Sequence, residues 1–194
     1  MVGVSNPMMN SDRRSGRRFL WGFAVGMIAS AVTVALALAA LSFLSLLLPE
    51  AVRLVALLVL LVFFGVADFL NRTPHVWRQV PQRFAGQLGP WQLGLVWAYD
   101  LGLYVTTQKT TSLIWIGLAG VVLTQPPAAV AVAVLVTNAL FGIGVALLTL
   151  HRSGLVLTHP RFFDRINGNL IRPARFMSGL VAVGLALYLA MGWQ

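Results

Sequence analysis

Four stretches of the chain stay apolar for about the 20 positions a helix needs to cross a bilayer. They are 19–48, 51–70, 128–150 and 174–193. A fifth apolar region, from Trp91 to Thr124, is too long for one straight span and is cut in its middle by TTQKTTS, residues Thr106 to Ser112. Its halves, 91–105 and 112–124, are each shorter than a normal span. The pattern predicts an all-α, polytopic transmembrane helical bundle of six hydrophobic segments. A basic tail, 1–18, precedes a single transmembrane domain, 19–194.

Two topologies satisfy this pattern. If both halves of the fifth region cross, the chain crosses six times and TTQKTTS lies at the surface opposite the loop 71–90. If the region makes one net crossing as a broken or re-entrant element, the count is five. Short cytoplasmic loops carry the excess of Lys and Arg. With the N-terminus inside, the 71–90 loop is inside in either case, whereas the 151–175 loop with its five arginines is inside only with five crossings. The charge rule favours five and leaves six open.

Composition fixes the class. The chain is 58% hydrophobic and 10% charged, with a mean hydropathy of +0.83, whereas soluble domains carry charge on about a quarter of their residues. Thirteen arginines and one lysine face five acids, for a net charge of +9. Most fall in three clusters: Arg13, Arg14, Arg17 and Arg18; Arg72, Arg78 and Arg83; Arg152, Arg161, Arg165, Arg172 and Arg175. Each cluster abuts an apolar run, so these residues read as membrane-surface determinants facing anionic headgroups, not as a nucleic-acid patch. The arginine bias with abundant Ala, Val and Leu points to a high-GC bacterial genome. The expected place is the bacterial plasma membrane, multi-pass, with a cytoplasmic N-terminus and 19–48 as a retained span, not a cleaved signal.

Candidate chemistry is sparse. There is no cysteine, which excludes disulfides, thiol relays and thiolate metal sites. His75, His151 and His159 have no metal-ligand spacing, and no GxSxG, HExxH or Walker loop occurs. No catalytic residue, metal or cofactor is predicted. The expected partners are the lipid bilayer and, for a 21 kDa chain with short loops, further copies of itself or other membrane subunits.

Asp100 is the most informative residue. A carboxylate at depth in a bilayer costs upwards of about 2 kcal/mol, so it faces a cavity, a partner or another helix. Tyr99 offers a hydroxyl, Gly94 and Gly102 allow close backbone approach, and Trp97, Asp100 and Tyr104 share one helical face. A break at TTQKTTS would free backbone groups to line a wet cavity, as in transporters with interrupted helices. Thr106, Thr107, Gln108, Lys109 and Thr111 would then join Asp100 and Tyr99 along a ligand or ion pathway. The bland alternative is a surface turn whose Ser and Thr cap the next helix, with Asp100 as a structural anchor. Asn138, within the run 128–150, is expected to hydrogen-bond between helices, and Gly142 and Gly144 to allow close packing. Asp68, with Asn71 at the end of the second span, is expected to be a structural polar group at the interface.

The motif VWRQVPQR followed by WAYDLGLYVTT resembles small actinobacterial multi-span membrane proteins. These are distantly similar to the transmembrane core of the thiol-transfer proteins of cytochrome c biogenesis, the CcdA and DsbD type. The likeness covers residues 76–124 and is carried by Arg78, Gln79, Pro81, Asp100, Leu101, Gly102 and Thr106. It implies two sets of three helices. It does not imply thiol transfer, because that core works through a pair of cysteines and this chain has none. Two functions follow: a transporter-like membrane protein with a small-solute or proton site at the break, or a non-catalytic accessory or structural subunit of a larger membrane complex.

Overall fold

A computed structural model of the chain describes residues 12–73, 87–104, 111–152 and 160–191. Its elements are six helices: α1 (Arg13–Ser45), α2 (Glu50–Phe69), α3 (Pro90–Gly102), α4 (Leu113–Thr124), α5 (Pro127–Arg152) and α6 (Pro160–Met191). Among the described residues there is no strand. Among the described residues, four helices are long and apolar enough to cross a membrane: α1, α2, α5 over Pro127–Gly144 and α6 over Arg172–Met191. The protein is an all-α helical membrane protein.

Local chemistry explains where the helices start and stop. α1 begins at Arg13, inside the basic tail, because Asp12 caps it: its carboxylate accepts from the Arg14 and Ser15 amides at 2.9 and 3.1 Å and from the Ser15 hydroxyl at 2.5 Å. The Ser15 hydroxyl, and then the Arg14 amide, hold the Asp12 carboxyl below its ordinary range. α2 ends in a Schellman turn. Asn71 takes the left-handed φ of 58° that glycine usually supplies, and the Arg72 amide reaches back to the Ala67 carbonyl at 2.8 Å. α3 starts after Gly89 with proline at its first position, and the Gln92 side chain accepts from the Gly89 amide at 3.2 Å. α4 stops at Gln125, which Pro126 forces into extended backbone. α6 runs on from Pro160 through Pro173, so part of the stretch read as the 151–175 loop is helix continuous with the last span.

The chain divides into two compact units. The first contains α1 up to Ala35, α3, and α5 from Val132. α1 and α3 run in the same direction: Gly22 faces Trp91 and Leu95, Gly26 faces Leu95 and Ala98, and Gly102 faces Ser30. Gly94 returns the contact against the Phe19 and Phe23 backbones. Gly22 and Gly26 form a GxxxG pair, so two backbones approach where any side chain would intrude. Phe19, Leu93 and Trp97 pack on one side of this seam, and Phe23, Met27 and Ala98 on the next turn.

The second unit contains the rest of α1, α2, α4, α5 up to Ala131, and α6 from Phe163. α2 runs antiparallel to α4: Asp68 meets Ser112 at one end and Arg53 meets Leu123 at the other. α2 is also antiparallel to α6, with Gly65 against Ala182 and Phe69 against Gly179. Leu57, Leu61, Ile116, Ala182 and Ala186 form the core.

At 13 and 12 residues, α3 and α4 reach only about 20 and 18 Å, well short of the ~30 Å hydrocarbon core. Neither spans a bilayer as a straight helix of ordinary length.

A valine at Gly26 would collide with the Leu95 carbonyl and bring its Cβ to 2.9 Å from that of Ala98. Gly26→Val is expected to destabilise the protein by about 1–3 kcal/mol, read as a lowered melting temperature in detergent. Gly120→Val, where nothing lies within 4 Å of the added carbon, is the matched control and is expected to melt close to the parent.

Candidate functional site

Asp68 is the most heavily bonded side chain described, and only 2% of it is exposed. Its Oδ1 accepts from the Thr73 hydroxyl at 2.7 Å and the Ser112 hydroxyl at 2.8 Å. Its Oδ2 accepts from the Ser112 amide at 2.9 Å and the Ser178 hydroxyl at 2.5 Å. Two bonds per oxygen use the acceptor positions a carboxylate offers. Asp68 therefore ties the end of α2 to the start of α4 and to α6. Because the acid sits at the N-terminus of α4, it also meets the positive end of that helix.

The same helix is pinned at its other end. The Ser45 hydroxyl donates to the Val122 carbonyl at 2.9 Å, the Ser42 hydroxyl to the Gln125 carbonyl at 2.6 Å, and the Arg53 guanidinium to the Leu123 carbonyl at 3.1 Å. These carbonyls are ones the helix cannot satisfy internally, and a cation suits the negative end.

Next to the Asp68 network, Asn71 and Arg175 lie together: the guanidinium donates to the Asn71 carbonyl at 3.1 Å and to its Oδ1. Phe69 and Phe176 meet edge to face at 5.5 Å beneath them. Arg172 and Arg175 thus stand at the same end of the second unit as the turn that closes α2.

Asp100 lies on α3 in the first unit and is 7% exposed. Trp97 shares the α3 face with Asp100 and is buried as well, whereas Tyr104, also buried, lies past the end of α3 and so is not on that helical face. The indole Nε1 of Trp97 has no hydrogen-bond partner. Tyr99 is half-buried, with its hydroxyl 3.4 Å from the Thr33 hydroxyl. Just past α3, Tyr104 holds a φ of 59°, a left-handed backbone that costs a side-chain-bearing residue about 1–2 kcal/mol.

Not every expected residue falls where the structure speaks. Thr106, Thr107, Gln108 and Lys109, and Arg78 and Arg83, lie outside the described residues. Nothing is described of the side chains of Arg13, Arg152, Arg161 and Arg165. Arg14, Arg17, Arg18, Arg72 and Arg172 are exposed, as surface arginines should be. Thr111 is half-buried and Ser112 fully buried, so the end of TTQKTTS is no solvated turn. Ser112 holds the capping position of α4, yet its hydroxyl serves Asp68, and Asp68 takes its amide. Asn138 is 1% exposed, but neither atom of its amide has a hydrogen-bond partner, unlike the interhelical bond expected of it. Gly142 packs on Met27, whereas Gly144 faces open space and serves no close contact.

Ser178, Thr73, Ser42, Ser45 and Arg53 escaped the sequence reading. Small hydroxyls within apolar runs were the available signal, but nothing local says which acid they serve. Among the described residues, no three His, Asp or Glu side chains are grouped to hold a metal. Comparison with family models, curated proteins and solved structures gives no match.

Replacing Asp68 with alanine would leave four buried donors without their acceptor. At about 1–3 kcal/mol for an unsatisfied buried group, Asp68→Ala is expected to cost at least about 3 kcal/mol, measured by denaturant unfolding in mixed micelles. Ser178→Ala removes one donor only and is expected to cost about 1 kcal/mol.

Proposed function

We propose that this membrane protein moves a proton or a small polar solute at the interruption between α3 and α4, with Asp100 as the group that meets it. The observation that carries this reading is a buried carboxylate in the last turn of a helix too short to span a bilayer. Acids within the hydrocarbon are costly and mark ion and proton pathways. The strained Tyr104 immediately beyond it fits the same reading, since such backbone persists where structure is held for function. Tyr99 and the polar run Thr106, Thr107, Gln108, Lys109 and Thr111 would supply donors and acceptors along the path.

The matching topology is five crossings with a cytoplasmic N-terminus. α2 ends, α4 begins and Ser178 of α6 lies at one point, Asp68, so the chain between α2 and α4 returns to the face it left. The region 91–124 then makes one net crossing as a broken or re-entrant element. Both basic loops fall on that one face, as the positive-inside rule asks.

A second reading, a structural subunit of a larger assembly, draws on α5. Its span has only 17% of its length buried, the least of the four, which leaves a face for another membrane helix.

Asp100→Asn in sealed proteoliposomes separates the two. The transport reading expects proton or solute flux to fall at least about tenfold while the protein still accumulates and melts like the parent. Unchanged flux, with a defined heteromeric mass on purification in mild detergent, supports the subunit reading.

A further inference from the structure

The first unit contains a second feature that the Asp100 reading leaves unused. Between α1 and α5 lies an apolar groove of about 540 Å³, within the range of small-molecule sites. Phe23, Met27, Ala31 and Asn138 line its floor and are at most 5% exposed. Ile28 and Ile143 line its rim and are 65% and 57% exposed. The groove is therefore open sideways, toward the hydrocarbon.

Among the described residues of this lining, Asn138 alone has a polar side chain. Its amide is closed off from water, and neither Nδ2 nor Oδ1 has a partner. The buried serines of the described spans show the opposite habit: Ser30 donates to the Met27 carbonyl, Ser42 and Ser45 to carbonyls of the α4 end, and Ser178 to Asp68. An amide left idle in hydrocarbon on the floor of an open groove asks for a group that both donates and accepts.

We propose that this groove binds a long-chain lipid alcohol, with its hydroxyl on the Asn138 amide and its chain along Phe23, Met27 and Ala31. A hydroxyl has one hydrogen to give to Oδ1 and lone pairs to receive Nδ2, so a single atom answers both halves of the amide. A hydrocarbon answers neither, and an ether only the donor. Entry is lateral, past Ile28 and Ile143. Met27 lies against Gly142, whose missing side chain leaves it room: an added Cβ there would sit 3.4 Å from the Met27 Cε. Met27, an unbranched thioether lining the same groove as Asn138, can change rotamer to admit the hydroxyl.

The test uses the full-length protein in lipid nanodiscs and a diazirine-bearing long-chain primary alcohol as the photoprobe, with its methyl ether as the matched control. Crosslinks are expected in residues 20–31 and 135–143, with labelling by the alcohol at least about fivefold above the ether. Asn138→Leu is expected to erase that preference. This variant removes a buried polar group without a partner, so it should melt no lower than the parent, and loss of labelling would not reflect loss of fold. Gly142→Leu, which fills the groove and leaves the amide in place, is expected to abolish labelling by both probes. Equal labelling by alcohol and ether in the parent, or an unchanged preference in Asn138→Leu, would overturn the proposal. A native mass of two chains that Asn138→Leu reduces to one would also overturn it, making the groove an interface between copies. None of these readouts depends on flux through Asp100.

Discussion

A carboxylate inside a membrane can stay there only if protein donors replace the water it has lost, and the second unit is organised around that demand at Asp68. Four hydrogen bonds, from Thr73, the amide and hydroxyl of Ser112, and Ser178, converge on its two oxygens. The donors come from separate stretches of chain, so the acid can be satisfied only when the end of α2, the start of α4 and the Ser178 turn of α6 are together. The demand also works in reverse. α4 is 12 residues long and has unsatisfied groups at both ends, which Asp68 meets at one and Ser42, Ser45 and Arg53 at the other. A helix held this way has no reason to lengthen, and the interruption before it is built into the fold.

The first unit uses a different device. α1 and α3 come together by removing side chains: Gly22, Gly26, Gly94 and Gly102 each place backbone against a neighbouring helix. Lipid gives helices no hydrophobic reason to associate, so close van der Waals contact of this kind must hold them. Asp100 rides on the helix that this contact positions, with Trp97 and Ala98 buried beside it in sequence. The two acids therefore have distinct physical settings. Asp68 is closed by named donors and holds helix ends, whereas Asp100 stands near the end of a helix that stops in strained backbone.

The long spans were legible because 20 or so apolar residues carry their own signal, and the interruption was legible because TTQKTTS has no place in an uninterrupted span. Proline and glycine marked the edges of α3, α4 and α5. Burial of Asp100 with Trp97 followed from spacing on one helix. The role of Asp68 was not legible, since its partners on other helices lie 44 and 110 residues away and are ordinary serines. Its position near the end of an apolar run read as an interfacial acid, whereas the fold closes over it. The start of α1 at Arg13 depended on one exposed aspartate offsetting four arginines, a local balance that hydropathy does not register. Asn138 misled for the converse reason: its sequence context suits an interhelical bond, and the geometry supplies none.

The end of α2, the start of α4 and Ser178, near the start of the apolar part of α6, meet at Asp68, which implies that the chain leaves α2 and enters α4 and the α6 span from a single face of the membrane. The parent has no cysteine, so single cysteines report sidedness cleanly. The most direct measurement is labelling of Arg72→Cys, Arg172→Cys and Glu50→Cys by a membrane-impermeant maleimide on sealed vesicles of known orientation. The account predicts that Arg72→Cys and Arg172→Cys react from the same side and Glu50→Cys from the other. Reaction of Arg72→Cys and Arg172→Cys from opposite sides would contradict it.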